Sequence, residues 1–160
     1  MVEKIAWAER CFQRWGAALL RGGNTGDMLR RLDAAVCSSR EQMSHSGVGN
    51  LCRFCEEQEG GSCCGAGLEN RYSGILLLIN LLLGTAIPRE RQDPKGCFFL
   101  GPKGCRLMAR HVLCVNYLCK KITDGTDPRK IALLRDKEGV ELGLLFLLNE
   151  HILQFFRSVP

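Results

Sequence analysis

The sequence lacks the apolar segments that membrane and exported proteins carry. Its longest apolar run, residues 74–87, spans 14 residues and includes Asn80, Gly84 and Thr85. That is shorter than the roughly 20 apolar residues of a membrane span. Charges are scattered through the first 23 residues, so we expect no signal peptide. These absences predict a cytoplasmic protein without a membrane span.

Familiar catalytic motifs are absent as well. The segment GPKGC at residues 101–105 has the wrong spacing for a phosphate-binding Walker loop, and no GxSxG, HExxH or dinucleotide-binding motif occurs. Solvation and helix capping are expected to account for six carboxylates in the second half of the chain, namely Asp93, Asp124, Asp127, Asp136, Glu138 and Glu141. The sequence therefore leaves open whether the protein is an enzyme.

Length and composition are those of one ordinary globular domain covering residues 1–160. Hydrophobic residues make up 46% and charged residues 24% of the chain. The net charge of +5 is mild, and alone it favours neither nucleic acid nor an acidic membrane surface as a partner. No internal repeat or low-complexity tail is present.

Helical spacing of apolar residues predicts a mainly α fold. Residues 3–21 form one amphipathic helix that ends at Gly22-Gly23. Asn24 can cap a second helix, which continues to Ser46, so residues 1–46 are predicted to form an N-terminal helical hairpin.

The middle of the chain, residues 47–122, is predicted to be a loop-rich cysteine-cluster core. Residues 47–67 show no sustained periodicity and are predicted to be a loop. Residues 68–85 are apolar nearly all round and predict a buried core helix. Residues 105–122 are predicted to form a further helix.

Residues 123–160 are predicted to be a C-terminal helical region. Asp127 is an N-cap followed by proline at the first helical position, and the helix should end near Phe156. A bend is expected at Gly139 or Gly143. Apolar core helices around a cysteine-rich centre are the predicted architecture.

Ten cysteines are the unusual feature of the composition, and eight of them fall into two groups of four. Four thiolates are the full ligand set of an all-cysteine zinc site and of one cubane iron–sulfur cluster. Clustered thiols in a reducing compartment more often hold metal than form disulfides. The predicted metal ligands are Cys52, Cys55, Cys63 and Cys64 in the first group, and Cys97, Cys105, Cys114 and Cys119 in the second.

The adjacent pair Cys63-Cys64 indicates that the cysteines bind at more than one metal position. Neighbouring side chains in an extended backbone diverge, so the two sulfurs should serve different metals or different corners of a larger cluster. The alternative is two small buried residues in a glycine-rich turn.

Six basic residues and no acid lie between Lys95 and Lys121. Cations near bound thiolates offset their surplus negative charge. The alternative is a nucleic-acid patch in which Phe98, Phe99 and Tyr117 are interleaved with the basic residues.

Three further residues stand apart from the eight cysteines. Cys11 lies beside apolar residues of the first helix and is expected to be a small buried side chain. Cys37 lies on a polar helix side and is expected to be a partly exposed thiol. His111 lies one turn from Cys114 and is either a metal ligand or a surface or supporting group.

Residues 52–119 resemble a known family. The pattern Cys-x-x-Cys followed by Cys-Cys, then Gly96-Cys97-Phe98-Phe99-Leu100 and the segment from Gly104 to Cys119, looks like the YkgJ-type cysteine-cluster proteins. The family has Arg-Pro where this chain has Arg110-His111, and seven residues separate Cys55 from Cys63. The resemblance implies zinc or iron chelation, and a related cluster in flagellin lysine N-methylases implies a link to protein methylation.

Three hypotheses follow. The first is a metal-binding protein that coordinates an iron–sulfur cluster or zinc through the eight cysteines, with or without a protein partner. The second is an enzyme or accessory subunit of protein lysine methylation. The third is a zinc-dependent nucleic-acid-binding module.

Overall fold

The computed structural model describes residues 1–59 and 63–159, and the predicted mainly α fold is confirmed. The helices are α1 Val2–Arg21, α2 Thr25–Ser46, α3 Val48–Glu59, α4 Gly74–Leu82, α5 Val112–Asn116, α6 Lys120–Gly125 and α7 Pro128–Ser158. A 3-10 turn covers Leu68–Arg71, and a short antiparallel hairpin pairs β1 (Leu100–Gly101) with β2 (Gly104–Cys105).

Helix α4 lies at the centre of the main core, as its composition predicts. Ser73 accepts a hydrogen bond from the Leu76 amide (3.1 Å) and begins the helix, and Leu77 is fully buried. Gly74 lets α1 pack closely, because a Cβ there would lie 2.4 Å from the Trp7 ring. The core helix predicted over residues 68–85 is present but shorter, because it covers only Gly74–Leu82 and follows the 3-10 turn.

The two N-terminal helices occur where they are predicted. They contact each other, but α1 packs mainly along α4 and α2 mainly along α7. Asn24 occupies the predicted N-cap position of α2, but in the described part of the chain its side chain makes no capping hydrogen bond. Gly47 ends α2 with a positive φ of 82°, which favours glycine.

The prediction of a loop over residues 47–67 is wrong for its first half, because α3 occupies Val48–Glu59. Residues 60–62 lie outside the described residues. Buried Val48 anchors α3 in a small second core with Ile122 and Leu134. The helical repeat is weak in the sequence because Cys55 lies seven residues after Val48, where the repeat would call for a larger apolar residue.

The predicted helix over residues 105–122 is also wrong. The end of the β-hairpin, an irregular segment and the short helices α5 and α6 replace it. The fully buried Asn80 holds the backbone of this irregular segment, since its side-chain amide donates to the Ala109 carbonyl (2.9 Å) and its oxygen accepts from the Ala109 amide (3.0 Å). These two bonds take the place of helical hydrogen bonds at Ala109.

Helix α7 begins at the predicted cap, where Asp127 accepts a hydrogen bond from the Arg129 amide (2.8 Å). It runs without interruption through Gly139 and Gly143, at which a bend is predicted. By length and composition it could also cross a membrane, and 22% of its most apolar window is buried in the protein.

Two carboxylates of α7 are buried, which corrects the prediction that solvent and capping account for them. Glu141 is fully buried; it accepts a hydrogen bond from Ser39 of α2 and forms an ion pair with Arg110 at 3.7 Å. Burial raises the pKa of Glu138, against the lowering effect of Arg135, which lies 2.8 Å away. These groups tie α7 to α2 and to the segment before α5.

We predict that Asn80→Leu lowers the free energy of unfolding by about 2–4 kcal/mol, because the buried amide and carbonyl of Ala109 both lose their partner. Denaturant unfolding measures this value. Asn50→Leu, on exposed α3 surface, is the control and should change it by less than about 0.5 kcal/mol. Equal effects of the two substitutions would contradict the role of Asn80.

Candidate metal centre

The first group of thiols lies where α3 meets α6. Cys55 lies on α3, and Cys119 is the residue that precedes α6. Burial raises the pKa of the Cys63 thiol, and the neighbouring Cys119 and Cys55 add to this rise, the former also by a hydrogen bond. Cys119 is therefore a neighbour of two cysteines that lie more than 50 residues before it in the sequence.

Cys52 belongs with this group because of its place on α3. It is exposed and lies three residues before Cys55, so the two share one side of the helix. We call Cys52, Cys55, Cys63 and Cys119 the α3–α6 thiols.

An ion pair between Lys121 and Glu59 links the two helices beside these thiols. Burial and a hydrogen bond with Glu59 raise the pKa of Cys55, whereas the Lys121 cation lowers it. Lys121 also interacts electrostatically with Cys119. The Lys121 cation is therefore placed to stabilise thiolates of Cys55 and Cys119.

The second group of thiols gathers around the β-hairpin, and we call Cys64, Cys97, Cys105 and Cys114 the hairpin thiols. The Cys97 amide donates a hydrogen bond to the Cys64 carbonyl, and a bridge between Gly65 and Gly96 continues this pairing. The Cys97 side chain is buried. Its burial raises its pKa, and the nearby Cys105 and Cys114 contribute to the rise.

Tyr72 is the polar side chain that reaches the hairpin thiols from the core. Its hydroxyl accepts a hydrogen bond from the His111 amide (3.1 Å) and lies 3.6 Å from the sulfur of Cys114. The hydroxyl proton is not used towards His111, so it can be donated to this sulfur. Burial and the two thiols Cys105 and Cys114 raise the pKa of Tyr72, which keeps the phenol protonated.

Glu69 holds the segment that carries Cys97. Its carboxylate is buried, forms an ion pair with Arg91 and accepts hydrogen bonds from the amides of Gly67 (3.0 Å) and Phe98 (3.4 Å). Burial acts to raise the pKa of Glu69, but the hydrogen bonds from backbone amides and Arg91 outweigh it and lower the pKa. The ionised carboxylate therefore supports both sides of the Cys64–Cys97 pairing.

All eight predicted ligand cysteines lie in these two groups, but the grouping differs from sequence order. Cys64 lies with the hairpin thiols and Cys119 with the α3–α6 thiols, because α6 packs on α3 and residues 64–66 pair with residues 95–97. Within residues 1–59 and 63–159, no set of three or more Cys, His, Asp or Glu side chains is arranged to hold a metal ion. The thiols are neighbours without forming a closed ligand set.

Three residues that the sequence sets apart from the eight predicted ligand cysteines, His111, Cys11 and Cys37, make contacts of other kinds. His111 caps α5, since its Nδ1 accepts a hydrogen bond from the Leu113 amide (3.2 Å); burial, with Arg71, lowers its pKa. Cys11 packs against the main core but is only half-buried, less than expected, and Cys37 is exposed.

The basic stretch before Cys119 does not form a continuous surface with its aromatic residues. Phe99 is fully buried and Arg110 is buried against Glu141, while Arg106 donates to the Phe98 carbonyl (3.2 Å). Tyr117 is exposed. Arg110 instead lowers the pKa of Cys114, which burial raises.

Sequence reasoning missed Glu69, Tyr72 and Asn80. Asn80 had a signal, because a lone amide inside the apolar run of α4 needs a buried partner. Glu69 and Tyr72 had none, since their side-chain partners Arg91 and Cys114 come from segments more than 20 residues away.

Comparisons of the chain with protein-family models, with curated proteins and with solved structures found no match. The resemblance of residues 52–119 to the YkgJ-type proteins therefore stays a prediction.

We predict that Glu69→Gln lowers the free energy of unfolding by about 1–3 kcal/mol near neutral pH, because Arg91 loses its buried partner. The folded-state pKa of Glu69 lies below its ordinary value of 4.5, so its stabilisation is present above that value and is lost as the pH falls through the folded-state pKa. The difference from wild type should therefore shrink below about pH 4.5. Denaturant unfolding across pH measures it.

Glu90→Gln, at an exposed position near the same segment, is the matched control and should show neither the loss nor its pH dependence. A Glu69→Gln effect that stays constant with pH would contradict this assignment.

Proposed function

We propose that the protein binds metal through its clustered cysteines, as an iron–sulfur cluster or as zinc. The observation that carries the proposal is the convergence of eight cysteines from residues 52–119 into two groups beside one another. Cytosolic thiols that gather in this way more often serve metal than disulfides. A reducing compartment keeps them available, so we also propose a cytoplasmic location.

The two groups supply two ligand sets of four thiolates. The α3–α6 thiols would hold one metal centre and the hairpin thiols the other, with the adjacent Cys63 and Cys64 divided between them. Four thiolates suit both tetrahedral zinc and one cubane cluster. Once bound, the metal supplies a cross-link between segments or, as an iron–sulfur cluster, an electron-transfer centre.

Residues of the chain prepare each group for negatively charged thiolates. Lys121 interacts with Cys55 and Cys119, and Arg110 with Cys114. Cations lower the cost of ionising thiols and offset the charge of the bound ligands. Tyr72 adds a hydrogen-bond donor at Cys114, of the kind that tunes metal centres from outside the ligand set.

Metal binding would also contribute to folding. The core that joins α3 to α6 is small and centres on Val48, Ile122 and Leu134. Because the α3–α6 thiols bridge the same elements, closing them on a metal would add a strong link where apolar packing is thin.

The nucleic-acid alternative has less support. Phe99 and Arg110, which the basic patch would need at its surface, are buried. For a role in protein lysine methylation, the family resemblance remains the only argument.

The proposal is tested by elemental analysis and an anaerobic absorption spectrum of protein made in metal-replete medium. We expect zinc or iron in at least stoichiometric amount in the folded protein. Less than about a tenth of an equivalent of either metal would contradict the proposal.

Single serine variants then test the two ligand sets. Cys63→Ser should remove the metal of the α3–α6 thiols, and Cys97→Ser that of the hairpin thiols, so each variant should retain part of the wild-type metal. Cys37→Ser, which changes an exposed cysteine outside both groups, is the matched control and should retain all of it. Identical, complete loss of metal in the Cys63 and Cys97 variants would contradict two separate centres.

A further inference from the structure

Helix α7 has two faces that both repeat every seven residues. The buried face consists of two rows, Leu134, Glu141 and Leu148, and Glu138, Leu145 and Ile152. The opposite face consists of three rows, Arg129, Asp136, Gly143 and Glu150, then Ala132, Gly139 and Phe146, then Leu133, Val140 and Leu147. All ten residues of this outer face are exposed except Glu150, which is half-buried.

The outer face of α7 carries an apolar strip that the described part of the chain leaves uncovered. Leu133, Val140, Phe146 and Leu147 are each between 54% and 63% exposed. Single exposed apolar residues are common on protein surfaces, but a contiguous strip at heptad spacing is typical of a helix that packs against another helix.

Gly139 and Gly143 indicate close approach of a partner. Each lies inside the helix, where glycine costs about 1 kcal/mol relative to alanine. Among the described residues, a Cβ at either position would meet nothing within 4 Å, and neither glycine has a positive φ, so neither packing within that part of the chain nor backbone conformation explains them. Their open surface would let a second helix backbone come near.

We propose that a second copy of this chain covers the outer face, with the two α7 helices antiparallel. A two-fold axis between positions 139 and 140 makes the face complementary to itself, as an isologous dimer interface requires. Large residues then face small ones or each other: Leu133 opposite Phe146, Ala132 opposite Leu147, Gly139 opposite Val140 and Asp136 opposite Gly143.

Charge selects the antiparallel arrangement. Arg129 and Glu150 would lie opposite each other at both ends of the antiparallel pair, and neither forms an ion pair within the described residues. A parallel pair would instead place Arg129, Asp136 and Glu150 each opposite its own copy, so that three like-charge contacts would oppose it.

An apolar strip of this kind could also contact a lipid membrane, but two carboxylates of α7 disfavour membrane binding. Asp136 lies in the middle of the outer face, and the fully buried Glu141 lies on the other side of the same helix. Carboxylates at membrane depth are costly and rare. Between two copies, Asp136 lies opposite Gly143, where it can reach water at the rim.

Sedimentation equilibrium of the metal-loaded protein under reducing conditions tests the dimer. We expect wild type to associate to about twice 17.8 kDa at tens of micromolar. Val140→Asp places two carboxylates across the axis and should weaken association by at least about a hundredfold. Val2→Asp makes the same change at an exposed site on α1, 73% exposed, and should leave it unchanged.

A charge exchange tests the orientation and guards against a variant that fails to fold. Arg129→Glu and Glu150→Arg should each weaken association by about tenfold, and the double variant should restore it. The two side chains are about 31 Å apart along one helix at 1.5 Å per residue, so rescue requires contact between copies.

The proposal is overturned by a monomeric wild type, or by no rescue in the double variant. It is also overturned if the wild type stays monomeric but floats with vesicles of phosphatidylcholine and phosphatidylglycerol and Val140→Asp abolishes this, because the face then contacts lipid. The dimer does not depend on which metal the thiols hold, or on whether they hold one.

Discussion

The buried carboxamide of Asn80 is the interaction on which the arrangement of the thiols depends. It extends from the central helix α4 and satisfies both backbone groups of Ala109, which holds the irregular segment 106–111 against the core. From this point Arg110 reaches Glu141 on α7, and the His111 amide reaches the hydroxyl of Tyr72. Cys114 follows one turn later, so its position beside Tyr72 is a consequence of the Asn80 contact.

Buried polar side chains also hold separate segments together elsewhere in the protein. Glu69 gathers the segments of Cys64 and Cys97, and Glu141 joins α2, α7 and the segment before α5. The irregular thiol-bearing segments are thus held by directional hydrogen bonds and ion pairs from a helical scaffold. Such contacts are costly to break one at a time, because the remaining partner stays buried.

Helix α7 inverts the usual distribution of polar and apolar residues. Its inner face includes two carboxylates, whereas its outer face presents a strip of large apolar side chains. The inner carboxylates are explained by Ser39, Arg110 and Arg135. The outer strip has no such explanation within the described residues, which is why a second copy of the chain is its proposed partner.

Long elements with clear periodicity could be predicted from the sequence: α1, α2 and α7 lie within a few residues of their predicted bounds. The segments around the cysteines could not. Cysteine at an apolar position hid α3, and the helical pattern of residues 105–122 was overridden by the distant contact from Asn80. The eight cysteines were identifiable by spacing, but their division into two groups depends on the packing of α6 against α3 and on the pairing of residues 64–66 with 95–97, which sequence order does not reveal.

We propose above all that the converging thiols are the ligands of a metal. X-ray absorption at the zinc or iron edge of the purified protein measures the atoms around that metal directly. We expect a shell of about four sulfur atoms per metal, at about 2.3 Å for zinc. A shell made mainly of nitrogen and oxygen would contradict it, because the metal would then be bound outside the two thiol groups.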